Sequence, residues 1–463
     1  MPPSELRALL ATQPLSVFIP EVYGGRGGEV AEGLAMLERT SYESLPLSLT
    51  MGINGALFLQ PVAKYADEGV KQRVFARFLE HQSMGGLMMT EPGFGSDALS
   101  MQTSWVREAD RYRIRGTKHW AGLTGLADFW LMTARERSDD RFGRDVDFFV
   151  LDGHDPEQSI VVEERFENLG LHAIPYGRNH VDVAVPEAQR LTPTTTGLKM
   201  MLDLLHRSRL QFPGMGLGFL QRLADDALHH VRERMVGGKS LLEYDQVKRR
   251  IAELQASVTV ASAMCLHASE RAGLEHDLAR DGLLANVVKS VLTDRMQAAA
   301  QSVLQLVGAA GYSTRHRAGL AVVDSRPFQI FEGSNDILYE QVGASVLQAM
   351  RRAKEARLGA YLAATTWASR ASQRFGDVLD VRLDTQLPQR RLVDLGKAIG
   401  RIATLDMVEE LAARGYPARR IEQAVQHLGS EVTTLFASVR SGHDAEPSQE
   451  VVPVGHWLTM RTT

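Results

Sequence analysis

Two short segments hold residues that can do chemistry. In residues 326–337 the acid Glu332 follows Phe328, Ile330 and Phe331 and precedes Gly333. Apolar neighbours disfavour the charged form of a carboxyl, so its pKa rises toward working pH, as a general base requires. Glu332 also reads as a helix N-terminal acid: with Asp336 it flanks Ser334 ahead of Ile337 and Leu338, where negative charge suits the helix dipole. Far upstream, residues 88–97 read M-M-T-E-P-G-F-G-S-D. Gly93 and Gly95 let the backbone approach a ligand closely, and Pro92 stiffens the loop. Its N–H groups and the Thr90 and Ser96 hydroxyls can hydrogen-bond a planar polar ring; an ordinary surface turn has the same composition. Trp120 offers such a ring a flat face, or simply packs in a core. Arg234 suits a pyrophosphate, or is one of 52 Lys and Arg facing water.

These residues need elements to position them. Residues 1–85 show apolar positions three and four apart (30–39 and 69–79), which predicts helices. From about 105 the texture becomes short β-rich runs: 112–115, 129–133, 146–150, 160–162 and 181–185. Residues 192–197 form a polar linker. Helical periodicity then returns in long segments, such as 246–264 and 283–307. It continues in 391–413 and 418–438 before a mobile end at 442–449. The order helix, sheet, helix excludes an alternating βαβ sheet. The glycine cluster at 24–28 lacks the strand–turn–helix setting of a dinucleotide fold.

Bulk properties bound the function. The 463 residues are 44% hydrophobic and 23% charged, ordinary for a globular chain of two or more domains. A net charge of −4 argues against a nucleic-acid surface. The single cysteine, Cys265, forms no intramolecular disulfide and reads as a buried structural thiol in a reducing cytoplasm. No secretory signal is evident, no apolar run reaches the roughly 18–20 residues of a membrane span, and His229, His230 and His316 lack metal-ligand spacing.

Several segments, in order, resemble the acyl-CoA dehydrogenase family over residues 18–350. They are F-I-P-E-V-Y-G-G at 18–25, T-E-P-G-F-G-S-D at 90–97, G-T-K-H-W at 116–120, R-M-V-G-G-K at 234–239 with Glu243 and Tyr244, Q-L-V-G-A-A-G-Y at 305–312, and F-E-G-S at 331–334. The resemblance implies an α+β, mainly α fold: an N-terminal helical domain (1–85), a middle antiparallel β-barrel domain (86–192), a C-terminal four-helix bundle (193–358) and an additional helical extension (359–463) without a family counterpart. One of its C-terminal helices is expected to fill the place of an N-terminal family helix.

The resemblance also implies FAD as cofactor, contacted by Leu87, Met89, Thr90, Gly95, Ser96, Trp120, Gly122, Arg234, Gln305, Gly308, Ser334 and Asp336, with Arg234 reaching a neighbouring subunit's FAD. Ser96, Arg209 and Gly333 would contact substrate, and no metal is implied. The implied reaction converts an acyl thioester of coenzyme A or acyl-carrier protein to the trans-2-enoyl thioester. Glu332 takes the α-proton, the β-hydrogen leaves as hydride to flavin N5, and the Glu332 N–H helps hold the thioester carbonyl. Implied partners are an electron acceptor such as an electron-transfer flavoprotein and further copies in a homodimer or homotetramer. Ser208 stands where some relatives carry an alternative base, so no rival carboxylate is present. Departures from the family are Gly122 in place of a flavin-contacting Thr, Gly237 in place of an aromatic, and His206 where an acid is common. Gly122 leaves an oxidase open beside the dehydrogenase; a silent thioester-binding member is the remaining alternative.

Overall fold

Helices α1 (Pro3–Leu10), α2 (Val30–Glu43), α3 (Leu45–Asn54), α4 (Gln60–Tyr65) and α5 (Glu68–His81) form the N-terminal layer of the computed structural model. The structure describes residues 3–139, 141–383 and 386–441; the expected mobile end at 442–449 lies outside them. A π-turn at Gly55–Leu59 joins α3 to α4. The combined run Leu45–Tyr65 is long and apolar enough to cross a bilayer, but its apolar window is 83% buried within the protein. It is a core helix. Asn54, at the end of α3, accepts the Gly85 N–H at 2.7 Å and so fixes where the sheet begins.

Eight strands follow: β1 (Gly85–Met88), β2 (Ser104–Glu108), β3 (Arg111–Gly122), β4 (Phe129–Ser138), β5 (Arg141–Phe142), β6 (Asp147–Asp152), β7 (Val161–Arg165) and β8 (Tyr176–Pro186). They join in one sheet in the order β1-β4-β2-β3-β8-β7, with β5 and β6 also on β4. Along β8 buried and less buried residues alternate, the period-two signature of a strand with one covered face. The pairing is not purely antiparallel. β4 runs parallel to β1 through its first half and parallel to β2 at Arg135 and Glu136. One long strand thus changes partners midway and joins two parts of the sheet.

The C-terminal part holds α6 (Gly197–Arg209), α7 (Phe212–Glu233), a small hairpin β9 (Met235–Val236) and β10 (Lys239–Ser240), α8 (Asp245–Ser269), α9 (Gly282–Val307), α10 (Arg317–Ser325) and α11 (Asn335–Ala353). Thr196, at the end of the polar linker, caps α6 by accepting the Lys199 N–H. Helices α7, α8, α9 and α11 pack together as the bundle, and α7 also packs on α2. The extension adds α12 (Leu358–Ala363), α13 (Ser369–Arg374), α14 (Gly376–Leu379), α15 (Gln389–Ala413) and α16 (Ala418–Ser441). α15 lies along α11, α8 and α9, and α16 along α15 and α8. The described residues of the extension therefore form a second layer on the C-terminal bundle, and their main packing is not on the N-terminal helices.

Candidate active site

Glu332 sits in the turn between the short 3-10 helix Arg326–Gln329 and α11. Its φ is +56° and that of Gly333 is +92°. Two consecutive left-handed residues, one of them not glycine, mark a turn held by its surroundings. The turn aims two carbonyls inward. Arg209 Nε and Nη2 donate to Glu332 O at 3.1 and 2.7 Å, and Lys289 Nζ donates to Gly333 O at 2.8 Å. A side chain at 333 would meet Leu338 at 3.0 Å and the Arg209 guanidinium at 3.3 Å, so glycine is needed for space as well as φ.

Among the described residues the carboxylate has one tether. Its Oε1 accepts from Ser208 Oγ at 2.8 Å, while Oε2 is shielded and has no hydrogen-bond partner among them. Burial raises the Glu332 pKa, and it wins over the Ser208 hydrogen bond and the positive Arg209 and Lys289, which lower it. Burial also pushes the Lys289 amine down to about 7. The aromatic setting expected around the acid is present in part. Phe212, Phe328 and Phe331 pack edge-on or tilted, with centroids 5.0–6.0 Å apart. Ile330 instead points outward, 56% exposed.

Across from this acid stands the end of β3. At Trp120 the chain takes φ +56°, and the β3–β8 register slips between His119 and Ala121. This bulge turns the indole outward, 54% exposed and braced on Phe166 at 4.6 Å. Gly122 faces Ile53 and Tyr176; an added Cβ would lie 3.0 and 3.4 Å from them. Burial raises the Tyr176 pKa, and the negative charge of Glu332 raises it further, which sets the phenol within electrostatic reach of the acid.

The 90–97 loop starts where β1 ends. Thr90 O accepts the His119 N–H at 2.8 Å, tying the loop to β3 beside Trp120. Beneath it Glu91 points inward. Its carboxylate accepts from the Gln102 and Thr103 N–H groups and from buried Lys118 at 2.8 Å. Gly93 has φ +82°, and a Cβ built on Gly93 or Gly95 meets nothing within 4 Å among the described residues. Gly95 and Ser96 are exposed, and Leu87, Met89 and Thr90 are half-buried.

The other singled-out residues fall elsewhere. Arg234 is exposed at the end of α7 and lines a cavity of about 530 Å³ with His229, His230, Val303, Val307 and His316. Gln305, exposed on α9, and Gly308 (φ +74°) belong to the segment that forms one wall. Ser334 caps α11 without a side-chain bond, and the exposed Asp336 pairs with Lys397 at 3.5 Å. Arg209, expected on substrate, is buried. Its guanidinium holds the Glu332 carbonyl and Asn286 Oδ1, so here it braces the turn that carries the acid.

Sequence reasoning missed Lys289, Asn286, Asn335 and Tyr176. Lys289 had a signal: it is a lone charge within an apolar stretch of α9, and it is fully buried. The others became visible only once α6, α9, β8 and the turn came together.

A carboxylate with a free oxygen, an outward indole and an open glycine loop make a site for a flat polar cofactor and a carbon acid. The residues fit FAD. An added Cβ at Gly95 would occupy space no protein atom uses, and Trp120 presents a bare ring face. Family models of the acyl-CoA dehydrogenase N-terminal, middle and C-terminal domains match residues 1–82, 86–183 and 195–347. The chain belongs to the acyl-CoA dehydrogenase family, a class of oxidoreductases. An acyl-CoA dehydrogenase of Bacillus subtilis (strain 168) is 23% identical over 329 residues, 70% of this chain and 84% of the relative. The solved butyryl-CoA dehydrogenase of Megasphaera elsdenii is similar with a TM-score of 0.69 at 21% identity, over 74% of this chain and 90% of that one. An acyl-CoA dehydrogenase of Bacillus anthracis, solved with FAD, gives a TM-score of 0.78 at 17% identity, over 94% of this chain and 82% of that one. A match that long takes in most of residues 359–463. The extension therefore has a counterpart in a solved fold, contrary to expectation.

Proposed function

We propose that this protein is an FAD-dependent α,β-dehydrogenase of an acyl thioester, with Glu332 as the base. The observation that carries the reading is the Glu332 carboxylate: one oxygen tethered by Ser208, the other shielded and unpartnered, on a turn clamped by Arg209 and Lys289. A base aimed at a weakly acidic C–H needs such a fixed, dry oxygen. Bound FAD supplies the hydride acceptor at its N5. Glu332 Oε2 takes the α-proton of the thioester. Its own N–H donates to the thioester carbonyl as charge develops there. Until that proton arrives, Lys289 and Arg209 stabilise the carboxylate. Thr90, Gly95, Ser96, Trp120 and Gly122 would hold the ring; Leu87, Met89, Ser334 and Asp336 are proposed beside them. Arg234, Gln305 and Gly308 would bind a second copy's FAD. The acyl carrier is coenzyme A or acyl-carrier protein, and an electron-transferring flavoprotein is the proposed acceptor.

Anaerobic bleaching of the bound flavin against a panel of acyl thioesters tests this. Glu332→Gln should stay yellow and bind thioester while bleaching slows by about 10²–10⁴-fold. Bleaching at the native rate would mean that another group acts as base. An oxidase is the second reading, favoured by Gly122, where only backbone borders the ring. Peroxide formed per enoyl product under air decides between them.

A further inference from the structure

We infer that the C-terminal extension positions the base, through Arg401. The turn that carries Glu332 is held at both ends by one carboxylate. Asp294 Oδ1 accepts from Gln329 Nε2 at 2.8 Å, before the turn, and from Asn335 Nδ2 at 2.7 Å, after it. Asn335 Oδ1 in turn accepts from Lys289 Nζ at 2.9 Å, the same amine that donates to Gly333 O. Asp294 is thus the hub from which the Glu332 turn hangs.

The other oxygen of the hub faces the extension. Asp294 Oδ2 accepts from Tyr339 Oη at 2.7 Å and lies 3.6 Å from Arg401 Nη2. Arg401, on α15, also donates to Tyr339 Oη at 2.7 Å and to Glu431 Oε2 at 3.1 Å. Glu431, on α16, also accepts at Oε2 from Arg295 of α9 at 2.9 Å, and its Oε1 lies 3.1 Å from His427 Nε2. An unbroken polar path therefore runs from α16 through Arg401 and Asp294 to the backbone around Glu332. A largely buried carboxylate with four partners keeps its geometry only while its charge is compensated. Arg401 supplies that compensation from outside the bundle. Being planar, its guanidinium can serve Tyr339, Glu431 and Asp294 together. Arg401 is a positioning residue, with Glu431 orienting it.

The inference rests on Glu332 being the base, so the test uses two readouts. The first is hydrogen exchange of the Ile330 and Phe331 amides, both of which donate to Pro327 O and report the turn directly. The second is the split between thioester affinity and limiting bleaching rate. In Arg401→Met holoenzyme, exchange at these amides should quicken at least about tenfold while α7 stays protected. The limiting bleaching rate should fall roughly 3- to 30-fold with thioester Kd unchanged within about twofold. Arg401→Lys, which reaches fewer acceptors, should restore part of both. If Arg401→Met does not fold, Glu431→Gln, which keeps shape and removes the orienting charge, should move both readouts the same way. A lower melting temperature with turn exchange and limiting rate unchanged would overturn the inference and leave the extension as plain cover. Native-rate bleaching by Glu332→Gln would sink the assignment of the base, and the exchange result would still decide whether Arg401 holds the turn.

Discussion

Glu332 and Lys289 face each other in a place that suits neither charge. Burial raises the acid and lowers the amine to about 7, so each neutral form is more favoured than in the unfolded chain. For Glu332 the folded pKa lies above the unfolded value. Its stabilising contribution is complete below the unfolded pKa and is lost as pH rises through the folded one. For Lys289 the folded pKa is depressed, so its contribution is present above the unfolded pKa and is lost as pH falls through about 7. Near neutral pH the pair costs stability, a common feature of sites built for chemistry. Glu332→Gln keeps the shape and removes the charge, and should raise the melting temperature by roughly 1–4 °C at pH 7. At a pH below the unfolded pKa of the acid the gain should vanish, because the native side chain is then neutral in both states. Calorimetry at the two pH values checks this; a lower melting temperature for the variant at pH 7 would show that the positive charges of Arg209 and Lys289, not burial, dominate. The same shift implies that bleaching slows as pH falls through the raised pKa of the base.

At the scale of elements, the Thr90–Asp97 loop shows how much of the site was legible. Its glycines and its neighbour Trp120 were readable because turn chemistry is local. The β runs from 112 to 185 fall on β3, β4, β6, β7 and β8, since a β-rich composition bounded by turn residues is also local. β1 and β2 were missed: β1 holds two glycines and rests on Asn54, so its strand state comes from tertiary contacts, not from propensity. The parallel pairing of β4 and the buried Glu91–Lys118 pair under the loop were invisible for the same reason. Around the base, Glu332 and Gly333 were legible, whereas the partners that fix them come from α6 and α9, far apart in sequence. The loop makes its own prediction. A methyl at Gly95 meets no protein atom, so Gly95→Ala should leave the apoprotein's melting temperature within about 1 °C of native. It should nevertheless weaken FAD retention by roughly tenfold, because the space it fills is the one proposed for the cofactor. Unchanged FAD affinity, measured by release of the yellow colour on dilution, would remove the loop from the cofactor site.

For the whole molecule, the residues proposed to hold FAD divide into two sets that one chain does not bring together. Thr90 is tied to β3 next to Trp120, and Glu332 lies within electrostatic reach of Tyr176, the partner of Gly122 at the end of β3, while Arg234, Val303 and Val307 line a cavity of about 530 Å³ that includes none of these. Beside Arg234 the hairpin leaves Met235 57% and Val236 42% exposed, and Tyr312 after the Gly308 turn is 88% exposed. Large apolar side chains gathered around a cation mark a surface that another protein covers. A second copy is the natural cover if each cofactor spans two subunits, and an isologous dimer places two such sites about one axis. That arrangement makes a prediction no single-chain site can meet. Arg234→Ala should release FAD, and Glu332→Gln should bind it without bleaching, so each parent is inactive. Co-expressed, they form mixed dimers in which the Arg234→Ala chain supplies an intact Glu332 and the Glu332→Gln chain supplies an intact Arg234 to the same FAD. One site of the two in each mixed dimer is then whole, so the purified mixed dimers should recover about half of native activity. The test reads bleaching after purification through a different tag on each chain, so that only mixed dimers are counted. Recovery no greater than the sum of the parents would mean that Arg234 serves the FAD of its own chain, or none.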